Sequence, residues 1–358
     1  MLSTFNNIHI KSVSTCVPSN IERNADLQFD SETLARMIQQ TGIEERRVVD
    51  EKTCSTDLIY EAAKELIEKE NINPLDIGVL VLVTQFADYV VPSSAHIIQK
   101  KLGLSNNALA IQVNEGCSGY VYGLQLGYSL LSVNNTKHAL VLVGDTTSRV
   151  CYKDDKSTRP LFGDAGSATL LYKSDSHTSK SVFELGGDGS KFEDIIMKDG
   201  GFRNPISEDS FIPFTDDKGI YSRPMDLKLD GMNVFMFGIR VVPKLIKRFI
   251  AETRLNIDDV NYFILHQANM AMNKKIIHKI GVDSNKALYS LKEFGNTACA
   301  SIPMTITHKS SKLRSKHNKV ILCGFGIGMS WGVCSIDFTK DTTYYQIEYL
   351  SKPLLSSN

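Results

Sequence analysis

Two stretches of this chain, 183 residues apart, carry nearly the same pattern. When "NPLDIGVLVLV" (73–83) is laid over "NIDDVNYFILH" (256–266), Asp76 falls on Asp259 and Ile77 on Val260, and in both a buried apolar run follows an amphipathic helix. "ALAIQVNEGCS" (108–118) over "ALYSLKEFGNT" (287–297) pairs Gly116 with Gly295 and Cys117 with Asn296, at an offset of 179. "HALVLVGD" and "NKVILCGF" then coincide at 180. Three alignments at nearly one offset imply two homologous halves, about residues 1–175 and 176–340, with 341–358 as a tail. Within each half, short β-rich runs alternate with helix-periodic segments such as "DLIYEAAKELIEK" and "FGIRVVPKLIKRFIAE", the pattern of an α/β fold. The stretch from about 186 to 230 is rich in Gly, Asp, Ser and Pro and has little periodicity. It reads as a long insertion, either a solvated excursion or the border of a site.

Composition then removes whole classes of function. Lys plus Arg equals Asp plus Glu at 40 each, so no global field recruits nucleic acid or an anionic membrane. The first residues, "MLSTFNNIHIKSV", lack a basic segment followed by an apolar one, and the run "VLVLV" is far too short to span a bilayer. A soluble cytoplasmic protein is expected. The seven cysteines include no CxxC pair, which argues against a disulfide framework and against a zinc cluster. No metal, flavin or nicotinamide site is implied, and "GFGIGMSWG" (324–332) lacks the features of a phosphate loop.

Duplicated folds pack about a pseudo-twofold axis, which would bring the equivalent turns at Cys117 and Asn296 to one place. In "VNEGCSGYVYGLQLG" a thiol sits between two glycines at a helix start, where unpaired N–H groups and the helix dipole favour the thiolate. Free cysteines are most often small buried hydrophobes. His266, at the carboxyl end of the strand in "ILHQANMAMNKKI", shifts the balance, because open α/β sheets place reactive groups there. Cys117 would carry an acyl group as a thioester. His266 and Asn296 would donate to a second thioester carbonyl and stabilise its enolate. The backbone N–H groups of Cys117 and of the loop 324–332 would form the oxyanion hole. Cys117 and His266 alone would also suit an acyltransferase delivering the acyl group to an amine or hydroxyl. Cys299 and Cys323 read as packing.

With these residues in place, the chain resembles the thiolase superfamily and, within it, the β-ketoacyl-acyl-carrier-protein synthase III type of condensing enzyme. "TGIEERRVV", "EGCSGYVYGL", "LFGDAGSATLL", "LHQAN", "FGNTACASIP" and "GFGIGMSWG" stand in that family's order over about residues 8–338. The resemblance implies a five-layered αβαβα fold, a Cys117–His266–Asn296 triad, a homodimer, and decarboxylative condensation with a malonyl group held on acyl carrier protein. It places Ile327 at the second oxyanion N–H, in a position usually held by glycine. It also places Phe325 and, from a partner subunit, Val91 at the acyl pocket. Val91 is smaller than the family's usual residue, so acyl groups larger than acetyl are expected. The family's adenine-holding Trp and Arg are replaced by Arg36 and Gln40, which leaves coenzyme A or a carrier protein as the source of the acyl thioester. Ala271 replaces a carrier-docking arginine, and Lys274 and Lys275 are expected to supply that charge, with Lys279, Lys244, Lys247 and Arg248 nearby.

Overall fold

The computed structural model describes residues 1–175, 179–217, 219–314 and 317–350. The strands of its two main sheets are β1 (Leu2–Asn6), β2 (Ile8–Pro18), β3 (Ile77–Val83), β4 (Leu109–Val113), β5 (His138–Asp145), β6 (Ala165–Lys173), β7 (Lys180–Gly187), β8 (Tyr262–Leu265), β9 (Asn318–Gly326), β10 (Ser330–Phe338) and β11 (Thr343–Tyr349). The helices that cover them are α1 (Ser31–Thr41), α2 (Ser55–Lys69), α3 (Ser94–Lys101), α4 (Gly119–Val133), α5 (Gly231–Thr253), α6 (Met270–Ile280) and α7 (Ser301–His308).

One sheet runs β11-β2-β6-β5-β3-β4 and the other β1-β7-β10-β9-β8. From the second strand inward the two orders are the same. The pairs β2/β6, β6/β5 and β5/β3 are antiparallel, antiparallel and parallel, as are β7/β10, β10/β9 and β9/β8. The duplication in the sequence is therefore a duplication of topology. Its decay is visible at the far edge, where the counterpart of β4 is a single bridge between Phe263 and Ala287.

The expected tail is a correction. Residues Thr343–Tyr349 form β11, parallel to β2 at the edge of the first-half sheet, and Tyr344 is buried against Phe338. At the other terminus β1 pairs antiparallel with β7 in the second-half sheet. Each half thus takes its edge strand from the other end of the chain. Residues 351–358 of that expected tail lie outside the described residues, as do 176–178, where the halves were expected to meet.

Three apolar cores separate the layers. The outer face of the first sheet packs on α2 and α3 through Leu58, Ala62, Leu66 and Ile98. The outer face of the second packs on α5 and α6 through Val242, Ile246, Phe249 and Ile276. Between the sheets lie α4 and α7, with Tyr120, Leu124, Tyr128, Ile302 and Ile306 in one continuous core. A helix sandwiched this way must be apolar nearly all round, as "GYVYGLQLGYSLLSV" is. Its glycines let it lie directly on the first sheet: a Cβ at Gly127 would come within 2.6 Å of Val141, and one at Gly119 within 2.8 Å of Val83. The result is five layers, α-β-α-β-α.

The insertion at 186–230 folds as two short ribbons, Ile195–Ile196 with Lys228–Leu229 and Phe214–Thr215 with Tyr221–Ser222. Its inner side, Ile195, Leu227 and Leu229, is buried against Phe162, while Phe202 and Ile212 on its outer side are exposed. The segment is thus buried on one side and solvated on the other. No helix among the described residues is long and apolar enough to cross a membrane.

Candidate active site

The carboxyl ends of β3, β5, β8 and β9 face the start of α4, and a cavity of about 570 Å³ opens there. Cys117, His266 and Asn296 all line it, together with Phe325, Gly326 and Ile327. The topology thus brings Cys117 and Asn296, 179 positions apart in the chain, to one cavity.

Cys117 sits two residues ahead of α4, in the turn closed by Gly116 and Gly119, whose N–H donates to the Gly116 carbonyl at 2.7 Å. The room around its sulfur comes from Gly326. That residue has φ +153°, and a Cβ there would lie 2.6 Å from Cys117 Cβ and 2.8 Å from Sγ. The backbone N–H groups of Ile327 and of Cys117 itself are placed to favour the thiolate. Ile327 carries no positive φ, because Gly326 and Gly328 on either side absorb the unusual conformation. The expectation of a depressed thiol pKa is overturned. Burial dominates, Asp145 and Glu115 add negative charge, and the thiol is pushed up to about 11.

His266 follows β8 directly and donates its backbone N–H to the Cys323 carbonyl at 2.8 Å. Its Nδ1 lies 2.7 Å from Ser301 Oγ, which also accepts the Gln267 N–H at 3.3 Å. The Ser301 hydroxyl keeps both its proton and a second lone pair for Nδ1, so this contact serves either neutral tautomer of the ring. Burial lowers the pKa of the ring to about 3, so the imidazole is neutral at physiological pH.

Asn296 is held from three sides. Its N–H donates to Leu161 O at 2.9 Å, its carbonyl accepts from Gly163 N–H at 3.1 Å, and its Oδ1 accepts from Ala298 N–H at 3.0 Å. The side-chain oxygen is thereby occupied and the amide NH₂ remains as a donor.

Two models of the 3-oxoacyl-[acyl-carrier-protein] synthase III family match the chain, the principal one over residues 111–189 and the C-terminal one over 250–338. A β-ketoacyl-[acyl-carrier-protein] synthase III of Natranaerobius thermophilus is 31% identical over 92% of this chain and 99% of its own. One from Staphylococcus epidermidis is 33% identical over 92% and 98%. A crystal structure of a 3-oxoacyl-(acyl-carrier protein) synthase from Burkholderia xenovorans superposes with a TM-score of 0.91 at 31% identity, covering 98% of this chain and 99% of that one. The chain belongs to the 3-oxoacyl-[acyl-carrier-protein] synthase III family. Its five layers are the thiolase fold.

Read as a member of this family, the chain shows features that sequence reasoning did not assign. Arg46, from "TGIEERRVV", is fully buried. It donates to the Phe162 carbonyl at 3.2 Å, pairs with Glu22, and packs its stem beneath Gly295. It therefore braces the backbone bridge between Phe162 and Asn296. Asp145, which closes the apolar run "HALVLVGD", is buried and raised to about 6 by desolvation. It accepts the Gln85 N–H at 2.9 Å and the Cys299 N–H at 3.4 Å. A carboxylate ending a buried strand was the available signal.

Some of the other residues singled out in the sequence lie on the rim of the cavity and some do not. Arg36 and Gln40 of α1 line the cavity, as do Lys156 and Ala271. Lys274 and Lys275 are exposed on the next turn of α6, outside the cavity. Lys279 instead donates to the Ile239 carbonyl at 2.9 Å, and Arg248 is engaged by Glu184. Cys299 and Cys323 are buried. Val91 does not line this cavity; it stands 80% exposed beside exposed Tyr89 and Val90.

Proposed function

We propose that this synthase III homologue joins a Cys117-bound acyl group to a malonyl unit carried on acyl carrier protein, with loss of carbon dioxide. The convergence of Cys117, His266 and Asn296 on one cavity carries this reading. The Cys117 sulfur attacks the acyl thioester carbonyl, and the donor's thiol leaves with the proton. The N–H groups of Cys117 and Ile327 hold the developing oxyanion. The malonyl thioester then enters with its carbonyl against His266 Nε2–H and the Asn296 amide. Its carboxylate leaves as carbon dioxide, and the electrons form an enolate that both donors stabilise. The enolate carbon attacks the acyl carbonyl, and Cys117 leaves as thiolate and regains a proton. Because His266 is neutral and Cys117 a thiol at rest, the site stores no ion pair, and charge appears only as the reaction generates it.

The homodimer is part of the same proposal. The edge strand β4 exposes Leu109 and Ile111, and the neighbouring loop exposes Tyr89, Val90 and Val91. Pairing two copies along β4 would cover this apolar band and carry Val91 toward the partner's cavity. Lys274 and Lys275, with Lys244 and Lys247 of α5, offer exposed positive charge to an acidic carrier protein.

The test is intact-protein mass after incubation with a panel of acyl thioesters, followed by addition of malonyl carrier labelled in its free carboxylate. Wild type is expected to gain the acyl mass and then release labelled carbon dioxide together with a 3-oxoacyl product. Cys117→Ala is expected to show no adduct. An adduct that passes to an amine or hydroxyl without carbon dioxide would replace condensation by acyl transfer.

A further inference from the structure

The cavity is mostly apolar, yet two of its polar side chains have no work inside the protein. Gln85 uses its backbone N–H on Asp145, but its side-chain amide meets no hydrogen-bond partner among the described residues. Its Oε1 is packed on the turn that bears the nucleophile, since a Cβ added at Gly116 would lie 2.5 Å from it. Thr147, 3% exposed, also lines the cavity, and its buried hydroxyl has no partner. The two residues leave the carboxyl ends of β3 and β5, which pair in parallel with Val83 opposite Val143. They therefore lie on the same lip of the sheet.

Of the two only Thr147 is fully buried, and buried polar groups without partners are uncommon and costly; Gln85 is partly exposed and its amide reaches the open cavity. An unsubstituted alkyl chain entering here would strip water from the Gln85 amide and return nothing. We infer that the acyl group carried by Cys117 bears a hydroxyl within a few bonds of its thioester carbonyl, recognised by Gln85 and Thr147. A hydroxyl is the substituent that both gives and takes. It can donate to Gln85 Oε1 while accepting from Gln85 Nε2 or the Thr147 hydroxyl. A carboxylate at the same place is disfavoured by Asp145 and Glu115, whose negative charge already acts on the Cys117 thiol. The rest of the wall, Phe86, Leu161, Phe162, Ile195, Leu227 and Leu229, suits a short hydrocarbon frame around that single oxygen.

This assignment rests on the condensing reading, and the experiment separates the two. Butyryl-pantetheine and each enantiomer of 3-hydroxybutyryl-pantetheine compete at equal concentration for wild-type protein, and intact mass reports which acyl group is on Cys117. One hydroxybutyryl enantiomer is expected to load at least about tenfold faster than butyryl. Gln85→Leu and Thr147→Val are each expected to cut that preference by about threefold or more, as butyryl loading rises and hydroxybutyryl loading falls. Equal loading, or a butyryl preference, in wild type overturns the substrate assignment alone. A hydroxyl preference that both variants retain in full also overturns the role of these two residues. No adduct from any thioester on folded protein overturns the condensing reading and the assignment with it.

Discussion

The turns at Cys117 and Asn296 occupy equivalent places in the two halves, and they are built differently. At Cys117 the chain leaves a full strand and enters the 15-residue α4, and the sulfur is given space by Gly326 and two backbone N–H groups. At Asn296 the preceding strand has shrunk to one bridge and the following helix to the eight residues of α7. Here the backbone of Asn296 is fixed by Leu161 and Gly163 and its side-chain oxygen by Ala298, with the Arg46 guanidinium behind the bridge. The difference follows from what each residue is proposed to do. A nucleophile must move as its carbonyl partner changes shape, whereas a hydrogen-bond donor to an enolate works best when it does not reorganise.

Substituting the fixed turn should therefore do the most damage to one half-reaction and little to the other. Asn296→Asp keeps the shape but sets a negative charge where the enolate forms. Condensation is expected to fall by about 10²–10³-fold, while acylation of Cys117 continues. Carbon dioxide release and intact mass, measured on the same sample, report the two steps. Equal losses in both would mean that the two turns do not divide the labour.

The converse test fills the space at Cys117. Gly326→Ala places a methyl group within 2.8 Å of the sulfur and strains the backbone at φ +153°. Displacement of the nucleophile on this scale is expected to slow acylation by about a hundredfold. A Cys117→Ala background, which already lacks the sulfur, should show no further loss of malonyl decarboxylation when Gly326→Ala is added. A large further loss there would place Gly326 in the support of the second turn as well.

These contrasts also mark what the sequence made legible. That Cys117 and His266 meet at one cavity could be read because the carboxyl end of a buried strand is a local pattern, and that Asn296 joins them could be read because the duplication carried Cys117 onto it. The role of Arg46 could not, since it is defined by Glu22, Asn24 and Phe162, which only the fold brings together. Strand β11 was missed for a related reason. "TYYQIEY" alternates polar and apolar residues as a half-buried strand does, but its partner, β2, lies more than 300 residues earlier in the chain. The direction of the Cys117 pKa was misjudged because the helix-start argument counted the N–H groups and left out desolvation, which is the larger effect. Ile327 stands where the family usually has glycine without needing a positive φ, because Gly326 and Gly328 take the positive φ values.

The two turns should also respond differently to pH. The thiol at Cys117 is raised to about 11, so the thiolate fraction, and with it acylation, is expected to rise about tenfold per unit between pH 6 and 9. His266 is lowered to about 3, so its neutral form is already complete throughout that window and loses a proton to nothing within it. Decarboxylation of malonyl thioester by Cys117→Ala is therefore expected to stay flat from pH 5 to 9. Protonating His266 requires acidification toward pH 3. A decarboxylation step near pH 6.5 that persists when Asp145, itself raised to about 6, is changed to Asn would show that the ring is solvated in the working enzyme, and the proposed neutral donor would fail.

The smallest effect is expected far from both turns, at the exposed charges on α6. Lys274 and Lys275 touch neither the cavity nor any ion-pair partner among the described residues, so they cannot act on bound substrate. If they receive the acidic carrier, Lys274→Glu with Lys275→Glu should raise KM for malonyl carrier by about tenfold and leave kcat unchanged. The increase should shrink as salt is added, because exposed pairs are screened within about 8–10 Å at physiological ionic strength. Condensation with malonyl-pantetheine, which lacks the protein, should not change at all. A matching loss with that small substrate would trace the effect to α6 itself, whose first turn carries Ala271 at the cavity rim, and would move carrier docking to another face.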